Sequence, residues 1–310
     1  MKNSNCLLKI SEGCKNPEHS GDVIFVHGLM GHARGTWHPK EKHDDDNFWP
    51  AWLGKDRSDF GIWSFGYEAK AFEWQGKAMP LFDQASNLLD WLEIHDMGQR
   101  PLIFITHSMG GLLVKEMLRT AQNYKYQEII EQTKGIVFLA TPHTGSHLAK
   151  LIDNIGTLTR TNVNVEELKA HAPQLRALNE WFRENVDDMG IAIKVYYETQ
   201  PVYGTLVVDP DSANPGIKGL KPVAIPDNHI SIVKPSSTES QVYISVKKFI
   251  EDCFKPTVQP LQLKHKLVVD EGKQLEEMSI DQRSGGIYFG TGKVQINGDI
   301  VGRDQQKFSS

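Results

Sequence analysis

One segment, residues 102–118, limits the folds open to this chain more than any other. Its first four residues, Leu-Ile-Phe-Ile, are apolar and rich in β-formers, as is typical of a strand buried on both faces. Apolar residues then recur at helical spacing, so the chain must reverse from strand to helix at Ser108. Such a turn strains its central residue and projects that side chain outward. Ser108 is therefore a candidate nucleophile.

The residues two positions before and after Ser108 must be small for the turn to close. Gly110 meets this requirement, whereas Thr106 stands where the pattern G-x-S-x-G has its first glycine. Threonine is compact, so the departure weakens the match without excluding the turn. The alternative interpretation is a strand, turn and helix whose serine has no chemical role. Partners elsewhere in the chain favour the nucleophile.

A second apolar strand, Val23 to Val26, ends in His27-Gly28 about 80 residues before the serine. Glycine lets the backbone turn, so the following amide groups can point toward a reacting carbonyl. In a fold with this chain order, the oxyanion hole combines the amide after the nucleophile with one from the loop after an earlier strand. We predict that Met109 and Leu29 donate these amides, each lowering the barrier by about 3 to 4 kcal/mol.

A serine hydroxyl needs a base within hydrogen-bond reach. His229 follows a predicted strand, Val223 to Ile225, and precedes a predicted amphipathic helix. The chain order serine, acid, histidine delivers its base on a late loop of this kind. We predict His229 as the base, and we expect most of the other histidines at surface or turn positions.

Two segments compete to supply the acid. Residues 191–197 have the pattern of a strand, and Glu198 stands at its end, the usual place for the carboxylate that orients the histidine. Asp209 and Asp211 lie closer to His229 in sequence. We favour Glu198, because a strand end is a more rigid mount than a proline-containing loop. Asp211, or Asp209, remains the alternative.

A third predicted strand, Ile136 to Leu139, is followed by a polar segment that contains His143. The carboxyl ends of parallel strands meet at one edge of a sheet, where such folds bind ligands. His143 therefore either lines the pocket or supports the serine turn, or it is a hydrogen-bonded structural histidine. We favour the structural role and assign it no proton transfer.

Five ordered motifs within residues 20–254 together resemble lipase-like α/β-hydrolases. They are Val26-His-Gly-Leu-Met-Gly31, Ile105-Thr-His-Ser-Met-Gly-Gly-Leu-Leu-Val-Lys115, Phe138-Leu-Ala-Thr-Pro-His-Thr-Gly-Ser146, Tyr197-Glu-Thr199 and Asn228-His-Ile-Ser-Ile-Val-Lys-Pro235. The chain is most similar to the serine-active-site-containing lipase-like proteins and more distantly to the glycosylphosphatidylinositol inositol deacylases, and Thr-His-Ser-Met-Gly-Gly is common in that family. The resemblance implies an α/β-hydrolase fold, with a mostly parallel sheet flanked by helices. It also implies hydrolysis of esters, often lipid esters, with Ser108 as nucleophile and His229 as base.

Composition restricts the remaining function classes. The chain of 310 residues holds one α/β domain and an appendage, and its net charge of -5 argues against a general nucleic-acid-binding surface. It has no apolar segment of transmembrane length and no signal-peptide core near its start. Three unpatterned cysteines are typical of reduced thiols. We expect a cytoplasmic protein whose closest approach to a bilayer is peripheral contact.

The acidic run His43-Asp44-Asp45-Asp46 allows two interpretations, a cation site or a solvated loop. We favour the loop, because no further ligand cluster accompanies the run. We therefore predict no metal and no organic cofactor.

Residues 147–190 contain mixed helical patches at the place where related folds carry a lid. A lid excludes water and selects the acyl group, so we predict a small lid over a partly open cleft. The alternative is ordinary packing of connecting helices. The aromatic residues after His32 form either the opposite wall of the cleft or, as we favour, part of the core: Trp37, Phe48, Trp49 and Trp52.

The chain changes character after its predicted hydrolase domain, residues 1–254. Residues 255–283 have the composition of a linker, and residues 284–310 alternate β-formers with glycines. Such short strands cannot form a core of their own, and their edges tend to pair with another chain. The tail resembles the Gly-Asp-Ile-Val-Gly-Arg-Asp tails of assorted bacterial enzymes and conflict-system proteins. We predict homo-oligomerisation or partner docking through residues 284–304, with a disordered tail as the alternative.

Three function classes follow from the sequence. The first is a serine esterase or lipase that acts on a lipid or small ester. The second is an antiviral immune effector, in which the same hydrolase degrades membrane lipid only after oligomerisation. The third is a catalytically silent interaction module on a hydrolase scaffold. The joint presence of Ser108, His229 and nearby acids disfavours the third class.

Overall fold

The computed structural model describes residues 6–40, 46–67, 81–143, 165–202 and 204–255. Seven strands in this part of the chain form one sheet. The strands are β1 (Cys6–Lys9), β2 (Gly21–Val26), β3 (Phe60–Gly66), β4 (Leu102–His107), β5 (Thr133–Leu139), β6 (Ala192–Glu198) and β7 (Val223–Ile225). The α-helices are α1 (Trp49–Asp56), α2 (Leu81–Ile94), α3 (Met109–Asn123), α4 (Gln127–Gln132), α5 (Val165–Asn185) and α6 (Gln241–Cys253).

The sheet has the strand order β1-β3-β2-β4-β5-β6-β7. β1 pairs antiparallel with β3, and every other pairing is parallel. Parallel strands joined by helices are covered on both faces, which is why β2, β3 and β4 are apolar and fully buried. This architecture confirms the predicted α/β-hydrolase fold.

The central strand β4 contributes side chains to two apolar cores, one on each face of the sheet. Because side chains alternate along a strand, Leu102 and Phe104 enter one core, while Ile103 and Ile105 enter the other. Helices α2 and α3 cover the first face, and α1 and α6 cover the second. The carboxyl end of β4 is thereby held rigidly at the middle of one sheet edge.

The aromatic residues after His32 belong to the core, as we favoured. Trp37, Phe48 and Trp49 are fully buried, and Phe25 contacts both tryptophans edge to face. Trp52 is half-buried against the same cluster. These side chains hold the loop after β2 and helix α1 on the sheet.

Several predicted segments lie outside the described residues. These are His43 to Asp45, residues 147–164 of the predicted lid, and residues 256–310, with nearly all of the linker and the whole glycine-rich tail. The division into domains, the lid, and oligomerisation through residues 284–304 therefore stay predictions. Asp46 is described, and its carbonyl oxygen accepts a hydrogen bond from Trp52. None of the described helices is long and apolar enough to cross a membrane.

Candidate active site

Ser108 occupies the strained turn between β4 and α3. Its φ of 51° and ψ of -124° lie in a region that residues other than glycine rarely adopt, at a cost of about 1 to 3 kcal/mol. Two backbone hydrogen bonds hold this conformation. The Ser108 N–H donates to the Leu139 carbonyl over 2.9 Å, and the Gly111 N–H donates to the Ser108 carbonyl over 3.1 Å. The turn is thus fixed by the neighbouring strand as well as by its own helix.

Two glycines let the end of β2 approach this turn closely. A Cβ added at Gly110 would lie 2.4 Å from the carbonyl oxygens of both Val26 and His27. A Cβ added at Gly28 would lie 2.7 Å from the Cβ of Ser108. The loop after β2 therefore runs directly beside the serine.

Thr106 fits the position at which the sequence pattern has glycine. Its side chain is fully buried, and its hydroxyl donates to the Val137 carbonyl of β5 over 2.9 Å. A buried hydroxyl is tolerated when it is hydrogen-bonded. The departure from the glycine pattern therefore leaves the turn intact.

The structure brings Ser108, His229 and Glu198 into one hydrogen-bonded chain. The Nε2 of His229 lies 3.1 Å from Ser108 Oγ, and its Nδ1 lies 3.2 Å from Glu198 Oε1. All three side chains are buried. A carboxylate only accepts, so Nδ1 carries the proton and Nε2 is left to accept from the serine hydroxyl.

The acid that the structure holds against His229 is Glu198. Its Oε1 also accepts the Val208 N–H over 2.6 Å. The two alternatives lie further along that loop, where the Asp209 carboxylate accepts the Ser212 N–H over 2.8 Å and Asp211 is exposed. The end of strand β6 thus carries the acid that meets the histidine.

Leu29 packs against the apolar cluster that contains Met109. His27 holds the Leu29 loop in place. The Tyr67 hydroxyl donates to the His27 carbonyl over 2.8 Å, and the Tyr67 N–H donates to His27 Nε2 over 3.3 Å. The remaining ring nitrogen, Nδ1, donates to the Gly28 carbonyl over 2.9 Å. Sequence reasoning missed Tyr67, because its only signal is a position just after β3.

His143 is buried in a second polar group. Its Nδ1 lies 2.7 Å from Nζ of Lys115, which also donates to Asn179 Oδ1 over 2.7 Å. Burial lowers the pKa of Lys115 and of His143 well below their usual values, and Nζ of Lys115 donates to both partners. This arrangement agrees with the structural role that we favoured for His143.

No described group of three or more histidine, cysteine or acidic side chains is arranged to hold a metal ion.

Three vertebrate proteins, each named Protein SERAC1, are similar to this chain. The Bos taurus protein is 34% identical over 254 residues, which cover 74% of this chain and 38% of that protein. The Mus musculus protein is 35% identical over 252 residues, with the same coverage, and the Danio rerio protein is 34% identical over 263 residues, covering 76% and 40%. The chain thus matches about two fifths of the length of these relatives. No family model matches it.

Solved structures share the fold at low sequence identity. Phospholipase PlaB from Legionella pneumophila has a TM-score of 0.56 and 15% identity, covering 76% of this chain and 61% of that one. The lipase BlEst2 from Bacillus licheniformis has a TM-score of 0.50 and 18% identity, covering 79% and 98%. The chain is therefore homologous to SERAC1 proteins over this part of their length, and it has the α/β-hydrolase fold.

The buried histidines make stability depend on pH. Burial lowers the pKa of His27 from 6.5 to about 4, and it also lowers those of His107 and His143. Below a pH of about 6.5 the unfolded chain binds more protons than the folded chain, so stability is full above that pH and is lost as pH falls toward 4. The free energy of unfolding should fall by about 1.4 kcal/mol per pH unit for each such histidine.

Urea denaturation at several pH values between about 7 and 5 measures this loss. His27→Gln removes one of these titrating groups, so its free energy of unfolding should vary less with pH than that of the wild type. Equal slopes for the two proteins would contradict the assignment of a neutral His27.

Proposed function

We propose that this SERAC1 homologue is a serine hydrolase that cleaves carboxylic esters through a covalent acyl-enzyme. The observation that carries the proposal is the hydrogen-bonded chain from Ser108 Oγ through His229 to Glu198 Oε1. Its members come from the ends of β4 and β6 and from the loop after β7, at one edge of the parallel sheet. That edge is where sheets of this type bind ligands.

The proposed reaction has two halves. His229 Nε2 takes the proton of Ser108 as Oγ attacks the ester carbonyl carbon. The new oxyanion accepts hydrogen bonds from the backbone N–H groups of Leu29 and Met109. Collapse of this tetrahedral intermediate expels the leaving alcohol, which receives the proton from Nε2. Water then attacks the acyl-enzyme, and His229 takes a proton from the water and returns it to Ser108 Oγ. Free acid and free enzyme result.

Glu198 supports the histidine in both halves. Its carboxylate is fully buried, and its Oε1 accepts two N–H groups, one from His229 and one from the Val208 backbone. The negative charge stabilises the imidazolium that forms on His229 and keeps the ring in the tautomer that the reaction needs.

Two exposed apolar side chains support an apolar acyl group, as in a lipid ester. Met30 directly follows the Leu29 of the oxyanion loop and is 45% exposed, and Ile230 directly follows the base and is 43% exposed. Met30 also holds a φ of 58°, a conformation that disfavours large side chains. A strained, exposed methionine adds little to the core, and this one lies two residues after Gly28, where the loop runs beside the serine. We therefore assign it a contact with substrate.

A fluorophosphonate probe tests the proposed nucleophile. We expect the full chain to be labelled and to hydrolyse p-nitrophenyl esters, because His229 deprotonates Ser108. Ser108→Ala should abolish labelling and lower ester hydrolysis at least about 1,000-fold. Mass spectrometry locates the adduct. A wild-type chain without an adduct, or an adduct that survives Ser108→Ala, would support the silent interaction module instead.

The identity of the acid is tested by neutralising each candidate without changing its shape. Glu198→Gln removes the charge beside Nδ1, so kcat for a p-nitrophenyl ester should fall by a factor on the order of 1,000 to 10,000. Asp211→Asn serves as the matched control, and its kcat should stay within about twofold of the wild type, because this side chain is exposed. The opposite ranking would assign the role to Asp211.

The apolar contact is tested by comparing acyl chain lengths. Met30→Ala should lower kcat/KM for p-nitrophenyl octanoate about 5-fold relative to the acetate, because it removes apolar surface beside the acyl group. Ile94→Ala is the control, since Ile94 is 57% exposed at the end of α2, which leads back to the opposite sheet edge. An unchanged octanoate-to-acetate ratio in Met30→Ala would remove Met30 from the substrate site.

A further inference from the structure

His107 contacts the backbone of the histidine that we propose as the base. It is the last residue of β4 and directly precedes Ser108. Its Nε2 lies 3.0 Å from the carbonyl oxygen of His229. The two ring centroids lie 4.9 Å apart, with an angle of 45° between their planes. Both side chains are buried, so this contact is sheltered from water.

The direction of this hydrogen bond follows from the protonation of His107. Burial, assisted by the proximity of His229, lowers the pKa of His107 well below 6.5, so the ring is neutral and carries one proton. A carbonyl oxygen only accepts, so the proton lies on Nε2, and Nε2–H is the donor. The Nδ1 atom has no hydrogen-bond partner among the described residues, and a Cβ at Gly28 would lie 3.3 Å from it.

Hydrogen bonds hold the loop that carries His229 at three places. The Asp227 carbonyl accepts hydrogen bonds from the backbone N–H groups of Thr199 and Gln200, which follow β6. The Val233 carbonyl accepts a hydrogen bond from Nε1–H of Trp49 over 2.9 Å. Between these two anchors, the His229 carbonyl accepts Nε2–H of His107. This middle anchor joins the base residue itself to the residue next to the nucleophile.

We propose that His107 is a positioning residue, whose Nε2–H fixes His229 at hydrogen-bond distance from Ser108. The inference rests on the proposed hydrolase function and deepens it. A neutral donor suits this place, because a second positive charge 4.9 Å away would repel the imidazolium that forms on His229. His107 acts through the backbone of His229. Its loss should therefore change kcat and leave KM nearly unchanged.

Two substitutions separate the donor from the bulk of the ring. His107→Leu fills the space without a donor, whereas the amide of His107→Gln can place an N–H near the position of Nε2. We expect His107→Leu to lower kcat for p-nitrophenyl butyrate about 100-fold, because a small displacement of a reacting group can slow a reaction this much. KM should stay within about twofold of the wild-type value. His107→Gln should recover most of that loss, to within about 5-fold of the wild type. The rate of fluorophosphonate labelling should fall and recover in parallel.

His143→Leu is the matched control for removing a buried histidine. This side chain contacts Lys115 in the second polar group, so its loss should leave kcat within about threefold of the wild type. Thermal unfolding of each full-length variant identifies any that fails to fold.

The inference is wrong if His107→Leu keeps the wild-type kcat. It is also wrong if His107→Gln is as slow as His107→Leu, or if His143→Leu is equally slow. A wild-type chain that is neither labelled at Ser108 nor active on esters overturns the proposed function and this inference with it. An active, labelled wild type with a fast His107→Leu variant overturns the positioning role alone.

Discussion

The close contact between the end of β2 and the start of α3 is the constraint on which the site depends. The two chain segments approach so tightly that neither Gly28 nor Gly110 leaves room for a side-chain carbon. This approach fixes the strained backbone of Ser108, which the Leu139 carbonyl supports from the next strand. Parallel pairing then brings the ends of β2, β4, β5 and β6 to one edge. The sheet thus brings motifs that are far apart in the sequence next to one another.

Burial determines which groups carry charge at this edge. His27 and His107 are neutral because burial penalises their charged forms. Glu198 is as deeply buried, yet two N–H donors meet one of its oxygens. A neutral histidine beside His229 does not compete for this carboxylate. In the proposed reaction, the imidazolium on His229 therefore forms beside the Glu198 side chain, in a buried site that screens charge weakly.

Much of the fold and part of the site could be predicted from the sequence, because their signals are local. Short apolar runs mark the strands, and the pattern around Ser108 marks the turn. The choice between Glu198 and Asp211 is not local, since it depends on how the loop at Val208 folds back onto β6. Tyr67 and His107 were missed for the same reason. Their hydrogen bonds reach 40 and 122 residues along the chain, and no spacing rule reports such contacts.

The loops that supply the polar groups of the site also supply its exposed apolar groups. Met30 follows Leu29, and Ile230 follows His229, so each apolar side chain is attached directly to a residue of the proposed machinery. Met30, with its αL backbone, directly follows Leu29 in the turn that Gly28 begins beside Ser108. A substitution that relaxes this backbone therefore also shifts the amide. In the proposed mechanism, acyl selection and oxyanion stabilisation are then coupled through a single peptide unit, so a change of selectivity at Met30 is expected to change the rate as well.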